Sequence, residues 1–330
     1  MGTGVLSEDD LSLVNALQIY PRLRWSDAGP ILNCHPTTLA HRWERLTASG
    51  DSWVVAHSVG AEQQDCLAFI DVECDLDRLD AVTEQLCTIP AVISADMSAR
   101  NRDLMLTVQT EGFAQLTDGV LTLLPRVEGI RRFQTSICTK LHQTGDRWQL
   151  NSLSRTQQSQ VRSLRPNSPH ISEGPHLVHP AITAIMSEDG RATAQHISNQ
   201  IGMHPTTAQR HINRIIKERS LIFRCEIAQR ASGFPITCQW FGRVPAGRHE
   251  TAAAALADFP ELRLCASTTG SSNFMITMWL RSVDSIMEME HRLLRAVPEL
   301  SLDECAIALN IVKRVGRRLS PTGQLVTPQE

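Results

Sequence analysis

No run of apolar residues in this 330-residue chain approaches the roughly 20 that a membrane-spanning helix requires. Met1 to Asp10 lack the basic start and apolar core of a signal peptide. The nine cysteines, at 34, 66, 74, 87, 138, 225, 238, 265 and 305, never form a C-x-x-C pair, which argues against a disulfide framework and a zinc ribbon. The sequence also lacks paired carboxylates, a nucleophile-base grouping and a phosphate-cradling glycine loop. His170, His176 and His179 lie near one another but have no adjacent Cys or carboxylate and sit in a proline-rich stretch, so no metal is expected. These absences describe a reduced, cytoplasmic protein without cofactor, and not an enzyme. The cysteines read as small buried hydrophobes, with Cys34, beside a turn, as the exception.

What is present is a repeat. His35-Pro36-Thr37-Thr38 recurs as His204-Pro205-Thr206-Thr207, each after a helical stretch and a tight turn, through Asn33-Cys34 and Gly202-Met203. Asn and Gly are the residues that tolerate left-handed backbone, and proline favours the first turn of a helix. Both copies therefore read as helix-turn-helix. In the first, Ser7 and Asp10 can form a capping box for a helix to about Tyr20. Gly29-Pro30 weakens the second helix, read over Ser26 to Leu32, and the third runs from Pro36 to about Ser49 before Gly50. In the second copy, Ala192 to Ile201 reads as one helix, and Arg219 stands where Gly50 ends the first copy's helix.

The net charge of −3 neither proves nor excludes nucleic-acid binding. Locally, Arg191 to Arg224 holds six Lys or Arg (191, 210, 214, 217, 219 and 224) against one acid, Glu218. Helical spacing places Leu39, Trp43 and Leu46 inward, and Ala208, Ile212 and Ile215 inward in the second copy. The outward or marginal set is His35, Thr37, Thr38, His41, Arg42 and Arg45 in the first copy. In the second it is His204, Thr206, Thr207, Gln209, Arg210, His211, Arg214 and Lys217. These types can bond phosphates and base edges: Arg210 to guanine O6 and N7, Gln209 to adenine N6 and N7, the threonines to phosphates or thymine methyls. The competing reading is a merely solvated basic face.

After each helical unit the pattern runs strand, helix, strand, strand, helix, strand, the order of a ferredoxin-like domain. The expected fold class is α+β, with two winged helix-turn-helix domains each followed by a ferredoxin-like βαββαβ domain. The expected boundaries are 1–60, first winged helix-turn-helix; 61–142, first ferredoxin-like domain; 143–176, a linker with a short helix anchored by Trp148, Leu150 and Leu153; 177–232, second winged helix-turn-helix; 233–318, second ferredoxin-like domain; and 319–330, a flexible tail. Such a sheet has one bare face, and Trp240, Met275 and Trp279 are assigned to it. Pairing the two sheets with each other, or with another chain, would cover it.

This architecture resembles the leucine-responsive regulator/asparagine-synthetase regulator family, Lrp/AsnC, in tandem form. The similarity is most specific at Gly202 to Ile215, which resembles the family's recognition helix. It is also specific at Thr268-Thr269-Gly270-Ser271-Ser272-Asn273-Phe274, which resembles its effector-domain turn. The resemblance implies a transcriptional regulator of double-stranded DNA that forms homo-oligomers, dimers or tetramers of tandem chains, and responds to a small-molecule effector such as an amino acid. Thr268, Thr269, Gly270, Ser271, Ser272 and Asn273 are then the effector-binding residues; the competing reading is an ordinary hairpin turn. The first copy has Arg100 where Gly270 stands, which puts ligand binding there in question. The same architecture resembles sirohaem decarboxylases, the alternative function, yet Cys265 to Met278 contains no His, Arg or Lys.

Overall fold

The computed structural model describes residues 6–58, 66–166, 179–218 and 220–326. Arg219, His170 and His176 fall outside these. The six segments expected in chain order are gathered into two compact units, Met1–Gln64 with Gln149–Ala228, and Asp65–Trp148 with Gln229–Glu330. Like packs with like: both helix-turn-helix copies form the first unit and both ferredoxin-like copies the second.

In the first unit, α1 (Glu8–Ile19), α2 (Trp25–Leu32) and α3 (Pro36–Ala48) make one reader, and α7 (Pro180–Glu188), α8 (Ala194–Ile201) and α9 (Pro205–Glu218) the other. Ser7 and Asp10 do form the capping box that starts α1. Helix α2 runs unbroken through Pro30. Its Gly29 is needed for close approach, since a Cβ there would stand 2.9 Å from the Cys34 carbonyl oxygen. The wings differ from expectation. The single strand after each reader, β1 (Ser52–Ser58) and β6 (Leu221–Ile227), pairs antiparallel with the other, from Ser52 opposite Ile227 to Ser58 opposite Leu221. A lone strand must find backbone partners, and here each copy supplies the other's. Helix α7 packs on β1 and α1 on β6, and Ala56 of β1 joins the core of the second reader.

A reciprocal arginine clasp fastens the two readers. Arg22, in the turn before α2, donates to the carbonyls of Gly190 and Ala192, the latter at 3.1 Å. Arg191, in the matching turn, donates to those of Pro21 at 2.6 Å and Leu23 at 3.0 Å. The Arg191 guanidinium also lies 4.0 Å from the centre of the Trp25 ring, and Arg22 lies 5.5 Å from that of Phe223. Burial, and then the charge of Arg22, pushes Arg191 down to about 10, which leaves it a cation at neutral pH.

Residues 149–166 of the segment expected as a linker, 143–176, belong to this unit. Buried Asn15 and Gln18 of α1 accept from the backbone amides of Leu153 (3.0 Å) and Leu150 (2.9 Å). Helix α6 (Arg155–Ser163) is capped by a Ser154/Gln157 box, and Gln157 donates to the carbonyl of Ile31 at 2.9 Å.

In the second unit the first copy contributes β2 (Cys66–Cys74), α4 (Leu79–Thr88), β3 (Val92–Ala99), β4 (Leu104–Thr110), a short α5 (Phe113–Leu116) and β5 (Ile130–Gln143). The second contributes β7 (Ile236–Arg243), α10 (His249–Leu256), β8 (Leu262–Thr268), β9 (Phe274–Leu280), α11 (Ser285–Ala296) and β10 (Ser301–Arg314), with a two-residue β11 (Arg317–Arg318). Where one helix was expected over Phe113 to Leu124, α5 passes into a π turn at Thr117–Leu121, a stretch containing Gly119.

The strand order is β11-β10-β3-β4-β2-β5-β8-β9-β7, and β7 pairs back onto β10. The sheet therefore closes on itself as a barrel. Its two seams are equivalent: each copy's last strand, β5 or β10, pairs with the other copy's second strand, β8 or β3. The outer faces carry two cores, under α4 and under α10 with α11. Phe69 and Met105 of one copy meet Ala266 and Met275 of the other inside, so the bare faces cover each other. Trp240 departs from its expected place. It belongs to the outer core, with its indole nitrogen donating 3.0 Å to Glu290 of α11. On β7 the apolar set Ile236, Cys238 and Trp240 faces the helices, while Thr237, Gln239 and Phe241 take the inner face. Nor is the tail wholly loose: Leu319 is buried and bridges to Leu325.

Inside the closed sheet, Gln239 of β7 donates 3.0 Å to Asp96 of β3. Asp96 is half-buried as a residue, and burial of its carboxyl pushes it up to about 6 against the pull of Arg314 and Gln239.

Two outcomes follow. Arg191→Ala is expected to cost on the order of 2–3 kcal/mol in chemical denaturation by stranding two carbonyls; a loss below about 0.5 kcal/mol would show that the clasp is idle. For Asp96, the folded protein holds a proton that the unfolded chain has released. Its contribution is thus most favourable at acid pH and declines as pH rises from about 4 to about 6. Asp96→Asn should therefore gain thermal midpoint relative to the parent across that window. A difference that does not change with pH would refute the assignment.

Candidate functional site

The recurring His-Pro-Thr-Thr is a helix cap. His35 is the N-cap of α3, and its Nδ1 lies 3.4 Å from the donating Thr37 amide and 2.8 Å from Thr37 Oγ1. His204 does the same for Thr206, at 3.4 and 2.9 Å. Pro36 and Pro205 each open a helix where no backbone donor is needed. Before each cap, Asn33 (φ 50°) and Gly202 (φ 68°) take left-handed backbone and turn the chain. The motif sets the start and direction of both recognition helices, and it engages His35, Thr37, His204 and Thr206 within the protein.

Leu39, Trp43 and Leu46 are buried on α3, and Ala208, Ile212 and Ile215 on α9. The outward residues are unequal in charge. On α3, Arg42 pairs with Asp9 at 2.7 Å, Arg45 with Asp10 at 2.5 Å, and His41 with Glu44 at 3.2 Å, while Thr38 is exposed. The bond to Asp9 raises the Arg42 pKa further. The first reader thus carries its own counter-charges. On α9, Arg214 pairs along its helix with Glu218 at 2.9 Å, and Gln209 donates to Asn213 at 2.9 Å. Exposed Arg210 makes a long 3.4 Å contact with Thr207 Oγ1, and Lys217 is exposed. Where α3 has Arg42 against Asp9, α9 has His211, whose ring lies 6.2 Å from that of His179. The first turn of α1 holds Glu8, Asp9 and Asp10, whereas that of α7 holds no acid.

The second unit holds a cavity of about 180 Å³, lined by Asp71, Glu73, Asn101, Arg102, Phe133, Gln134, Ser271 and Glu304. Buried Arg102 organises it. Its Nε meets Asp71 at 2.9 Å, one terminal nitrogen meets Glu304 at 2.8 Å, and the guanidinium stacks 4.4 Å from the centre of Phe241. The other terminal nitrogen, Nη1, is buried without a hydrogen-bond partner among the described residues. Burial pushes the Asp71 carboxyl up, opposed by Arg102 and reinforced by Glu304 and Glu73. Three carboxylates around one guanidinium suit a ligand with both a cationic group and an acceptor.

Of the expected effector turn, only Ser271 lines this cavity. Thr269 exchanges two bonds with the backbone of Ile137, at 2.8 and 2.9 Å, across the β5–β8 seam. Asn273 clamps the amide and carbonyl of Val244, each at 2.9 Å. Thr268 Oγ1 donates to the Ser272 carbonyl at 3.2 Å, and Ser272 donates to Asp303 at 3.1 Å. Gly270 (φ 114°) sits where an added Cβ would come to 3.1 Å from Ser136 Oγ.

The Lrp/AsnC ligand binding domain family matches residues 67–146 and 243–317, one stretch in each copy. Each ferredoxin-like copy is thus similar, over most of its length, to an Lrp/AsnC ligand binding domain. Two uncharacterized HTH-type transcriptional regulators, from Pyrococcus abyssi and Pyrococcus horikoshii, are each 24% identical over 142 residues, 42% of this chain and 90% of theirs. With the domain matches, these relatives make the chain similar to regulators of the Lrp/AsnC family. Among solved structures, the siroheme decarboxylase NirDL aligns with 93% of this chain and 93% of its own, at a TM-score of 0.58 and 12% identity. Its complex with an iron-uroporphyrin III analogue gives 0.59. That likeness is one of fold.

Two features of the second unit have no local signal in the sequence. Arg102 lies in the first copy's counterpart of the effector turn, two residues beyond the exposed Arg100 that drew attention there. Second, the stretch Cys265 to Met278 has no histidine of its own, but the fold brings two to it. His142 Nε2 and His249 Nδ1 lie 2.8 and 2.7 Å from Ser267 Oγ. Burial and then Lys140 lower the His142 pKa. Neither feature has a local pattern to betray it. Each depends on strand pairing between the copies.

Proposed function

We propose that the chain is a sequence-specific DNA-binding transcriptional regulator with two unequal readers, whose DNA binding or assembly responds to a small zwitterion such as an amino acid. One observation carries the DNA reading: two identically capped helices stand after left-handed turns in one unit, and exposed Arg210 and Gln209 lie on α9, whose neighbour α7 has no acid in its first turn where α1 has Glu8, Asp9 and Asp10. In this reading α9 reads bases through Arg210 and Gln209, with Thr206, Thr207, His211, Arg214 and Lys217 on phosphates and flanking edges. Helix α3 contributes a weaker half, because Asp9 and Asp10 compete with phosphates for Arg42 and Arg45. An asymmetric operator follows.

Arg210→Ala should lower affinity for the chain's own operator about tenfold or more, with at most a few-fold loss on random DNA. Asp9→Asn should do the reverse, strengthening binding to both DNAs a few-fold and steepening the salt dependence by about one unit of slope. Fluorescence anisotropy across salt concentrations reads both. Equal losses on operator and random DNA for Arg210→Ala would sink base readout.

The effector reading rests on the cavity. A ligand carboxylate would bond the unpartnered Arg102 edge, and its ammonium would face Glu73 and Gln134. An amino acid of the right class should raise the thermal midpoint of the parent protein but not of Arg102→Gln. If no amino acid shifts the parent while DNA binding is intact, this ligand class is wrong. An enzyme of the sirohaem-decarboxylase kind is the second reading, supported by fold likeness and by the two imidazoles at Ser267. A tetrapyrrole absorbance band appearing on titration and lost in His142→Ala would favour it.

A further inference from the structure

Sequence reasoning singled out Cys34 as the thiol of interest, but the fold points elsewhere. Cys238 on β7 and Cys305 on β10 hold their Sγ atoms 3.2 Å apart. In the antiparallel register Cys238 stands opposite Ile307 and Cys305 opposite Trp240. The two cysteines therefore share one face on a diagonal, where side chains can reach each other. Cys238 is fully buried, and Cys305 is half-buried against the edge of the same core.

The surroundings separate this pair from the other thiols. Burial pushes Cys74 and Cys138 up to about 11 and Cys225 and Cys265 to about 12, where thiolate is scarce at neutral pH. The hydrogen bond from the Cys238 thiol instead holds Cys305 below the ordinary cysteine value and Cys238 above it, with Arg100 favouring and Glu290 opposing a charge on Cys305. A half-buried thiol whose ionisation is favoured by a second thiol 3.2 Å away is the arrangement of an attacking and a resolving cysteine.

We propose that Cys238 and Cys305 form a reversible, hydroperoxide-oxidised dithiol pair, a modification site in the second ferredoxin-like copy. The Cys305 thiolate attacks one oxygen of hydrogen peroxide. The O–O bond breaks, the departing hydroxide takes the proton of the original thiol as water, and Cys305 becomes a sulfenic acid. The Cys238 sulfur then attacks the Cys305 sulfur. The S–O bond breaks, and the hydroxyl leaves with the Cys238 proton as a second water. Two thiols are oxidised by two electrons to one disulfide, and one peroxide is reduced to two waters. Closing from 3.2 Å to a bond of about 2.05 Å needs a movement of roughly 1 Å. The crosslink fastens β10 to β7 just before β10 passes, from Ile307 onward, to β3 of the other copy.

The test treats the full-length protein with hydrogen peroxide, then alkylates it after denaturation and maps peptides by mass spectrometry. The expected product is one linked pair carrying Cys238 and Cys305, lighter by two hydrogens than the separate peptides and restored by dithiothreitol. The oxidised protein should also melt several degrees higher. Cys305→Ser should give no link, and Cys238→Ala should stop at a sulfenic acid on Cys305 that dimedone traps. Full alkylation of every cysteine after peroxide, a link between any other pair, or a dimedone adduct accumulating on Cys305 in the unmutated protein would overturn the proposal.

Discussion

Backbone hydrogen bonding between the two copies is the constraint from which the rest of this structure follows. A ferredoxin-like sheet has two edges and a bare face, and each is a liability in water. Here the edges are consumed by the β5–β8 and β3–β10 seams, and the bare faces by each other. The same logic governs the readers, where β1 and β6 are each other's only strand partners among the described residues. One rule of pairing, applied twice, makes a single chain the equivalent of a closed pair.

Pairing of near-identical halves would give a symmetric molecule, yet the chain has used its covalent linkage to make the halves differ. The arginine clasp is symmetric, with Arg22 and Arg191 exchanging carbonyls. The charges around the recognition helices are not: α1 opposes α3 with Asp9 and Asp10, whereas the matching place beside α9 holds a His179–His211 contact. The cavity is likewise one-sided, built around Arg102 from the first copy's turn and Ser271 from the second's. A homodimer cannot place different residues at equivalent positions. A duplicated chain can.

Much of this was legible in local sequence. Pro36 and Pro205 at first turns, Asn33 and Gly202 at left-handed positions, and the Ser7/Asp10 box are short-range devices whose chemistry fixes helix starts. The strands, too, stand close to where alternation puts them. What escaped depends on contacts distant in sequence. Asn15 and Gln18 look like interruptions of an apolar face until the passing backbone of Leu150 and Leu153 supplies their bonds. Arg191 reads as one more positive charge for DNA, but four turn carbonyls and an indole claim the two clasp arginines. Trp240 faces outward with Ile236 and Cys238 because α11 covers that side and supplies Glu290 to its indole.

The chain crosses between its two units three times, after Gln64, Trp148 and Ala228. During synthesis, therefore, β1, β3 and β5 leave the ribosome well before β6, β10 and β8 exist to receive them. The first copy must wait with open edges, and the complement nearest at hand on a polysome is the first copy of a neighbouring chain. The clasp, arginine against arginine, would not oppose such a pairing, but that pairing would set Asp9 and Asp10 beside both recognition-type helices. Only the pairing carried within one chain leaves one of the two helices without those counter-charges in its neighbour's first turn.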